Sequence, residues 1–535
     1  MKPIGILRSA QDDGKNRQRQ LQQQIPTGWQ QKRQATAKVE ETMTGGINRR
    51  SMRFLGVVGT IVRVCGAALL GSGLLLGSGL LLIGSGVLNA QVAAAGAAQE
   101  PTFGTPTFGT AIDRAAMAER VKQEYLHGWN GYRQAAWGHD EVMPLTGKPH
   151  DWYGVSLHMT EIDGLDTMLL MGLTTEATEA REDLDKNLSF DQDIYVKNFE
   201  ITIRCLGGLE SAYEISGDKR LLALAEDLGD RLLPAFHSPT GIPYPFVNLK
   251  TGKVKGVETD PASSALLPEF GTLSKLTGKP VYYDAAKRAM VEIWKRRSGV
   301  GLLGGAINVD TGKWTDTTAT VGSGTDSFYE YLLKCWLLFG DKDMQTMWQQ
   351  ATGPIHQYLE DEVRSGLWYG EAEMMTGKRT EQNYGALDAF FPALLALDGD
   401  MSRAQRLQLS NFQMWTAYGI EPEVMNYATF EVSDGGYQLR PEIIESTYYL
   451  HHLTGDPLYE HMGQMYYDSL VRWCRTPNAY AALSDVRTKA QKDDMESFFF
   501  AETLKYLYLL YAPDATVDWR RTVFNTEAHP LKRFD

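Results

Sequence analysis

From about residue 115 onward the chain alternates apolar stretches with amphipathic ones, and the alternation repeats. An apolar helical segment ends in Gly, often followed by Asp or Lys, and a second, amphipathic helix comes next. The turn glycines are Gly172, Gly217, Gly278, Gly340, Gly399 and Gly455, at intervals of 45, 61, 62, 59 and 56 residues. Glycine supplies the left-handed conformation that closes a helix, and the polar residues after it cap the next one. A seventh turn is expected at Ala512-Pro513-Asp514, with Pro in place of Gly. Helical hairpins of this length cannot each bury an apolar stripe alone, so seven of them must pack side by side. An open solenoid and a closed ring both meet that requirement.

Acidic residues keep step with the repeat. Asp163 and Asp166, Glu200, Glu269, Asp326, Glu442 with Glu445, and Glu496 with Glu502 mostly stand about 9–17 residues before a turn, near the start of the helix that ends there. At about 1.5 Å per residue, hairpins pointing the same way would gather these carboxylates at one end. The clearest case is the stretch Leu439 to Ser446. Pro441 suits a first helical turn, and Glu442 and Glu445 share one helical face near unpaired N–H groups. Beside Arg440 and the positive end of the helix, Glu442 is expected to stay ionised and serve as a general base. Clustered buried acids are costly unless a cation or a reaction uses them.

Charge separates the N-terminal region from the rest. The 535-residue chain carries a net −13, which leaves no broad basic face for nucleic acid. Residues 1–50, by contrast, hold ten Lys or Arg against four Asp or Glu. Residues 1–53 are expected to form a disordered basic terminus. Residues 54–90 read as an export signal ending in Leu88-Asn89-Ala90, and the run from 54 to 88 is also long enough for a membrane anchor. Residues 91–111, with Pro-Thr-Phe-Gly-Thr twice in tandem, form a linker, and 112–535 one helical domain. Cys65, Cys205, Cys335 and Cys474 have neither metal-ligand spacing nor the density of a disulfide framework.

Carboxylates interleaved with aromatic residues suit carbohydrate. Trp137, Trp152, Tyr153, Phe328, Tyr329, Tyr448, Phe498 and Phe499 lie near the acids in sequence. Sugars offer hydroxyls to carboxylates and C–H faces to rings, and glycosidic hydrolysis uses one carboxyl as acid and another to activate water. Zinc-protease, phosphate-loop and serine-elbow motifs are all missing. His139, His158 and His529 lack metal spacing and are expected to act as hydrogen-bonding residues.

Several motifs together resemble glycoside hydrolase family 47, the class I α-1,2-mannosidases. They are Ala136-Trp137-Gly138-His139-Asp140-Glu141, Ile162-Asp163-Gly164-Leu165-Asp166-Thr167 and Phe199-Glu200-Ile201-Thr202-Ile203-Arg204. Further along come the stretch Asp326 to Lys334, Arg440-Pro441-Glu442, Met495-Glu496-Ser497-Phe498-Phe499, and Phe524-Asn525-Thr526-Glu527-Ala528-His529-Pro530. The resemblance implies an all-α fold, an (α/α)7 barrel of seven helical hairpins. It implies an inverting, exo-acting α-1,2-mannosidase that needs Ca²⁺ and removes terminal mannose from mannose-rich oligosaccharide; separately, the chain is expected to be an exported monomer. Glu200 then matches the general acid, Asp326 an alternative proton donor and Glu442 the base. Thr526 matches the direct Ca²⁺ ligand, with Glu269, Glu445, Glu502 and Glu527 acting through water. Asp140, Glu141, Arg204, Glu269, Arg440, Glu445, Phe498, Phe499 and Glu502 are the implied substrate contacts.

The chain departs from the family pattern in three places. A disulfide common in eukaryotic members would fall on Ala389 and Asn411. Gly385-Ala386 replaces an Asp-His pair, and Gly324 stands where Arg or Leu often reaches the outer glycan. Asp326-Ser327-Phe328-Tyr329-Glu330-Tyr331 with Phe390-Phe391-Pro392 is also similar to the ER degradation-enhancing mannosidase-like branch, for which glycan binding with little turnover is the alternative expectation.

Overall fold

A computed structural model describes residues 111–534. The basic terminus and the export or anchor segment lie outside the described residues, as does the linker up to residue 110. Among the described residues, no helix is long and apolar enough to cross a membrane.

All six expected glycines close helices in the left-handed conformation, with φ of 70° at Gly172, 73° at Gly217, 75° at Gly278, 67° at Gly340, 88° at Gly399 and 68° at Gly455. Helix α1 spans Arg114–Ala136, and the first hairpin is α2 (Met159–Met171) with α3 (Thr174–Asn187). The second begins with α4 (Asn198–Ile201), which runs through a π-helical turn, Thr202–Leu206, into α5 (Gly207–Ser216) and turns into α6 (Lys219–Leu232). Next come α7 (Leu267–Thr277) with α8 (Pro280–Lys295), and α9 (Asp326–Phe339) with α10 (Lys342–Tyr358). Then follow α11 (Phe391–Asp398) with α12 (Met401–Tyr418), and α13 (Glu442–Thr454) with α14 (Leu458–Trp473). A second π-helical turn, Phe499–Thr503, leads into α15 (Leu504–Tyr511). Several outer helices are capped as the polar residue after each glycine requires: Asp218, Asp341 and Asp400 accept N–H groups of their own first turns.

The inner helices close a ring. Helix α2 packs on α5, α5 on α7, α7 on α9, α9 on α11, α11 on α13 and α13 on α15, and the π-helical turn before α15 returns to α2. The seventh pair differs from the expected hairpin. Ala512 is extended (φ −62°, ψ 160°) and no outer helix follows it. The outer position beside α15 is already filled by α1, the first helix of the described residues. Arg114 joins the start of α1 to the end of α15, donating from Nη2 to the Ala512 carbonyl at 3.0 Å.

The last residues enter the ring. Strand Thr522–Phe524 pairs antiparallel with Pro530–Lys532, and the hairpin packs between α5 and α9. Val523 and Leu531 pack on Leu338, and the Phe534 N–H donates to the Leu338 carbonyl at 2.9 Å, all near the turn end of α9. Its tip, residues 525–529, therefore points toward the helix starts. Gly207 and Gly208 make room for it, since a Cβ on Gly207 would lie 2.7 Å from Asn525 Nδ2. Deleting residues 522–535 is expected to abolish cooperative folding, because it uncovers α5 and α9 and strips partners from buried Glu269 and Lys505. Loss of a single sharp thermal transition by circular dichroism would show this; a truncated chain melting like the intact one would contradict it.

At the acid end the connections are short antiparallel sheets. Six of their turns share one design, at residues 143–148, 248–253, 308–313, 373–378, 426–431 and 485–490. Each has Thr in fourth place, a left-handed fifth residue, and that residue's N–H returned to the first carbonyl. Four fifth positions are Gly; Phe430 (φ 61°) and Lys489 (φ 60°) take the same conformation with a side chain. In place of the family disulfide, the buried Asn411 amide donates to the Ala389 carbonyl at 3.4 Å.

Candidate active site

The carboxylates gather because they open helices of one closed ring. Asp326 and Glu442 are the first residues of α9 and α13, Glu200 and Glu269 the third of α4 and α7, and Glu502 lies in the second π-helical turn. Their exposure divides them. Glu200, Asp326, Glu442 and Thr526 are half-buried, whereas Glu269, Glu445, Glu502 and Glu527 are buried. The first group keeps an edge open toward solvent, and the second forms the layer beneath.

Glu200 is held by cations. Arg204 donates from Nη2 and Nε at 2.9 and 3.2 Å, and Lys197 from Nζ at 3.3 Å. Burial raises its pKa, but Arg204 and then Lys197 outweigh burial, and the net shift is downward. The other edge of Arg204 grips Glu527. Its guanidinium lies 5.5 Å from the Trp152 ring and 5.4 Å from Phe498. Arg440 approaches Phe498 as well, at 5.7 Å, so two guanidinium groups neighbour one ring.

Asp326 is the opposite case. It accepts the Ser327 N–H at 2.7 Å. Burial nonetheless pushes its pKa well above the usual carboxylate range, and Asp260, Glu330 and Asp388 add to the effect. Burial thus favours the neutral form of this carboxyl.

Glu442 differs from expectation in its partner. Arg440 does not pair with it; the guanidinium takes Glu423 instead, from Nη2 at 3.0 Å and Nε at 3.1 and 3.2 Å. Pro441 also sits just before α13 rather than inside it, its carbonyl accepting the Ile444 and Glu445 N–H groups at 2.8 Å. Burial raises the Glu442 pKa to about 7 against the pull of Arg440, and Oε2 is buried without a hydrogen bond. Leu439 precedes this segment in the left-handed region (φ 65°), its carbonyl held by the Thr503 hydroxyl at 2.6 Å. That strained residue helps to aim Arg440.

Thr526 is at the tip of the C-terminal hairpin, its N–H donating to the Tyr331 hydroxyl at 3.0 Å. The same hydroxyl donates to Glu269 at 2.6 Å, and Asn525 reaches Glu269 at 2.9 Å. Glu269 Oε2 has no hydrogen bond. Burial raises Glu269 to about 7, and Glu445 and Glu527 to about 8. Glu502 is raised as well, by burial and then by Glu527 and Glu442. Buried acids whose charge burial disfavours, one of them with an unpartnered oxygen, together with the half-buried threonine are a donor set suited to a hard divalent cation.

Three expected contacts belong to the scaffold instead. The Asp140 carboxylate is wholly buried and takes N–H groups of Trp152, Leu157 and Met159, so it folds that loop. Glu141 is buried between His150 and the Ser497 N–H. Phe499 packs in the core against Tyr480 at 4.7 Å, leaving Phe498 as the ring beside the arginines. His529 is indeed a hydrogen-bonding residue, fixed between Asp166 at 2.8 Å and Asp163 at 3.4 Å. Glu423, Glu330 with its partner Lys334, and Asp260 and Asp388 near Asp326 were not anticipated. A clue existed only for Glu330, inside the Asp326 to Lys334 motif.

The family profile of glycosyl hydrolase family 47 matches residues 124–533. The chain is 38% identical over 453 residues to "Alpha-mannosidase I MNS5" of Arabidopsis thaliana, covering 79% of this chain and 78% of that protein. It is 38% identical over 461 residues to "ER degradation-enhancing alpha-mannosidase-like protein 2" of Mus musculus, covering 79% of each. Among solved structures, the α-1,2-mannosidase from Trichoderma reesei matches with a TM-score of 0.72 and 27% identity, covering 80% of this chain and 100% of that one. A match that runs from α1 through the C-terminal hairpin takes in the whole ring together with its acid end, and on that extent the chain belongs to glycosyl hydrolase family 47.

Proposed function

We propose that the protein is an exo-acting, inverting α-1,2-mannosidase that removes terminal mannose from mannose-rich glycans with the help of Ca²⁺. The observation that carries this is the contrast between two half-buried carboxyls at one ring end: burial holds Asp326 well above the usual carboxylate range, whereas at Glu442 Arg440 opposes burial and the carboxyl stands at about 7. Hydrolysis with inversion needs such a pair, one to protonate the leaving oxygen and one to take a proton from water. Asp326 is the proton donor. Glu442 is the base. Glu200, an anion between Arg204 and Lys197, orients substrate or water and has no proton to give. Phe498 offers a face for the sugar's C–H edge, and Arg204 and Arg440 offer donors to its hydroxyls.

The residues present fit calcium: Thr526 would hold the ion directly, with Glu269, Glu445, Glu502 and Glu527 binding its waters. The ion would stabilise charge beside the reacting carbon and offset repulsion among those acids. Gly324 bears on the outer part of the glycan. Its φ is 89°, and a Cβ there would lie 3.2 Å from the Gly305 carbonyl, so no side chain extends from this position toward an outer branch.

The test is incubation of the full chain with α-1,2-linked mannobiose and calcium. Free mannose at turnover rates is the expected product; tight binding without release would make the protein a glycan-binding member of the family. Export is part of the same proposal, and protein recovered outside the cytoplasm should begin near Gln91. Finding Met1 on cytosolic protein would oppose it.

A further inference from the structure

A second cluster of ionisable side chains lies where α1, α2 and α3 meet. His158 precedes α2, Glu161 is in its first turn, and Asp183 comes from α3. His158 Nδ1, Glu161 Oε2 and Asp183 Oδ2 all lie within 4.8 Å of one another. His158 Nδ1 is 3.2 Å from Asp183 Oδ2 and 3.5 Å from Glu161 Oε2, yet none of the three atoms makes a hydrogen bond. Glu161 has no exposed surface at all.

Both carboxylates are divided in the same way. Glu161 Oε1 accepts the Gly138 N–H at 3.0 Å and the Tyr132 hydroxyl at 3.2 Å. Asp183 Oδ1 accepts the Trp137 indole N–H at 3.1 Å and the Asn187 amide at 2.9 Å. One oxygen of each is thus fixed by donors, and the other is turned into the cluster.

We propose that His158, Glu161 and Asp183 bind a divalent transition-metal ion of the Zn²⁺ type, at a site separate from the Thr526 floor. Around a tetrahedral ion with ligand bonds of about 2.0–2.1 Å, neighbouring ligand atoms stand about 3.3–3.4 Å apart, close to the two spacings from His158 Nδ1. Once binding displaces any proton from the imidazole, the two carboxylates leave two negative charges for the ion to balance. The imidazole favours zinc over calcium or magnesium, which prefer all-oxygen shells. Trp137, Asn187, Tyr132 and Gly138 supply the outer hydrogen bonds that orient metal-binding carboxylates. The ion would tie the start of α2 to α3, with the end of α1 held to it through the outer hydrogen bonds.

The full chain, stripped of metal and then saturated with calcium, is titrated with Zn²⁺ alone by calorimetry and with Co²⁺ alone by visible absorption. One equivalent of Zn²⁺ should bind despite the calcium, Co²⁺ should give the intense visible bands of a four-coordinate site, and zinc should raise the melting temperature. Asp183→Asn, a change on the outer helix, should abolish all three, and His158→Gln likewise. Trp137→Phe should weaken zinc by about ten- to a hundredfold. If wild-type protein takes up no zinc, if Asp183→Asn binds it equally well, or if calcium displaces it, the cluster is a histidine ion-paired with two acids and the proposal fails.

Discussion

Glu442→Gln is expected to bind mannoside normally but to turn it over at least about a hundredfold more slowly, the scale of general base catalysis. Glutamine keeps the size and the position at the head of α13, so what is lost is the ability to accept a proton from water. Because Glu442 Oε2 has no protein partner, the substitution breaks no hydrogen bond there. Binding measured by calorimetry should therefore survive while kcat collapses. Asp326→Asn should be as damaging with natural mannobiose, yet much less so with an aryl mannoside whose leaving group needs no proton. Glu200→Gln should act differently, since it leaves Arg204 without one of its two principal acids. Its loss should appear in KM as well as kcat. Inversion also requires room for water, so acid and base carboxyls about 6.5–9.5 Å apart are expected. Proton NMR of the first product should show β-mannose; α-mannose would mean retention, and Glu442 would then have to be a nucleophile.

What the sequence revealed was periodic and local. A turn glycine is needed wherever an inner helix must reverse, so six of them were visible, and the acids could be placed by counting back one helix. Closure of the ring was not visible as periodicity. The partner of α15 is α1, almost four hundred residues away, and no turn joins them. Only the family resemblance supplied that step. The turns at the opposite end were equally regular, with Thr in fourth place six times, but they follow a six-residue hairpin pattern hidden between helices of varying length.

Side-chain roles were harder to foresee for definite reasons. A π-helical turn displaces the residues after it from the ordinary helical period, and both such turns lie at the site. Phe498 and Phe499 precede or open the second, which is why two adjacent rings with similar sequence context meet different fates. Arg440 stands two residues from Glu442 in sequence, yet a left-handed Leu439 turns its fork to Glu423, seventeen residues upstream. Neighbours along a chain share a face only when the backbone between them is regular.

Removing calcium is expected to abolish turnover and to make the protein less stable as pH rises. The sign follows from the buried acids. Glu269 and Glu442 titrate near about 7, and Glu445 and Glu527 near about 8, each because burial disfavours its charge. Unfolded, such groups titrate near about 4.3. Without the ion, the folded state therefore holds protons that the unfolded state has released. That stability is complete below about pH 4 and is lost as pH rises through 7 and 8. Calcium prefers the deprotonated acids, so its effect should grow over the same range; at a hundred times its Kd it adds about 2.7 kcal/mol. His529, raised to about 9 by Asp166 and Asp163 despite burial, also loses stability with rising pH, but with or without calcium. Asp166 is lowered to about 2, Lys505 and His529 outweighing burial, and acts only in stronger acid. The difference between melting temperatures with calcium and with chelator therefore isolates the floor of the site. It should be small at pH 5 and large at pH 8. Thr526→Val should remove most of that difference while leaving the fall with pH in chelator intact. Full activity in chelator, or an equal calcium effect at both pH values, would take the metal out of the mechanism.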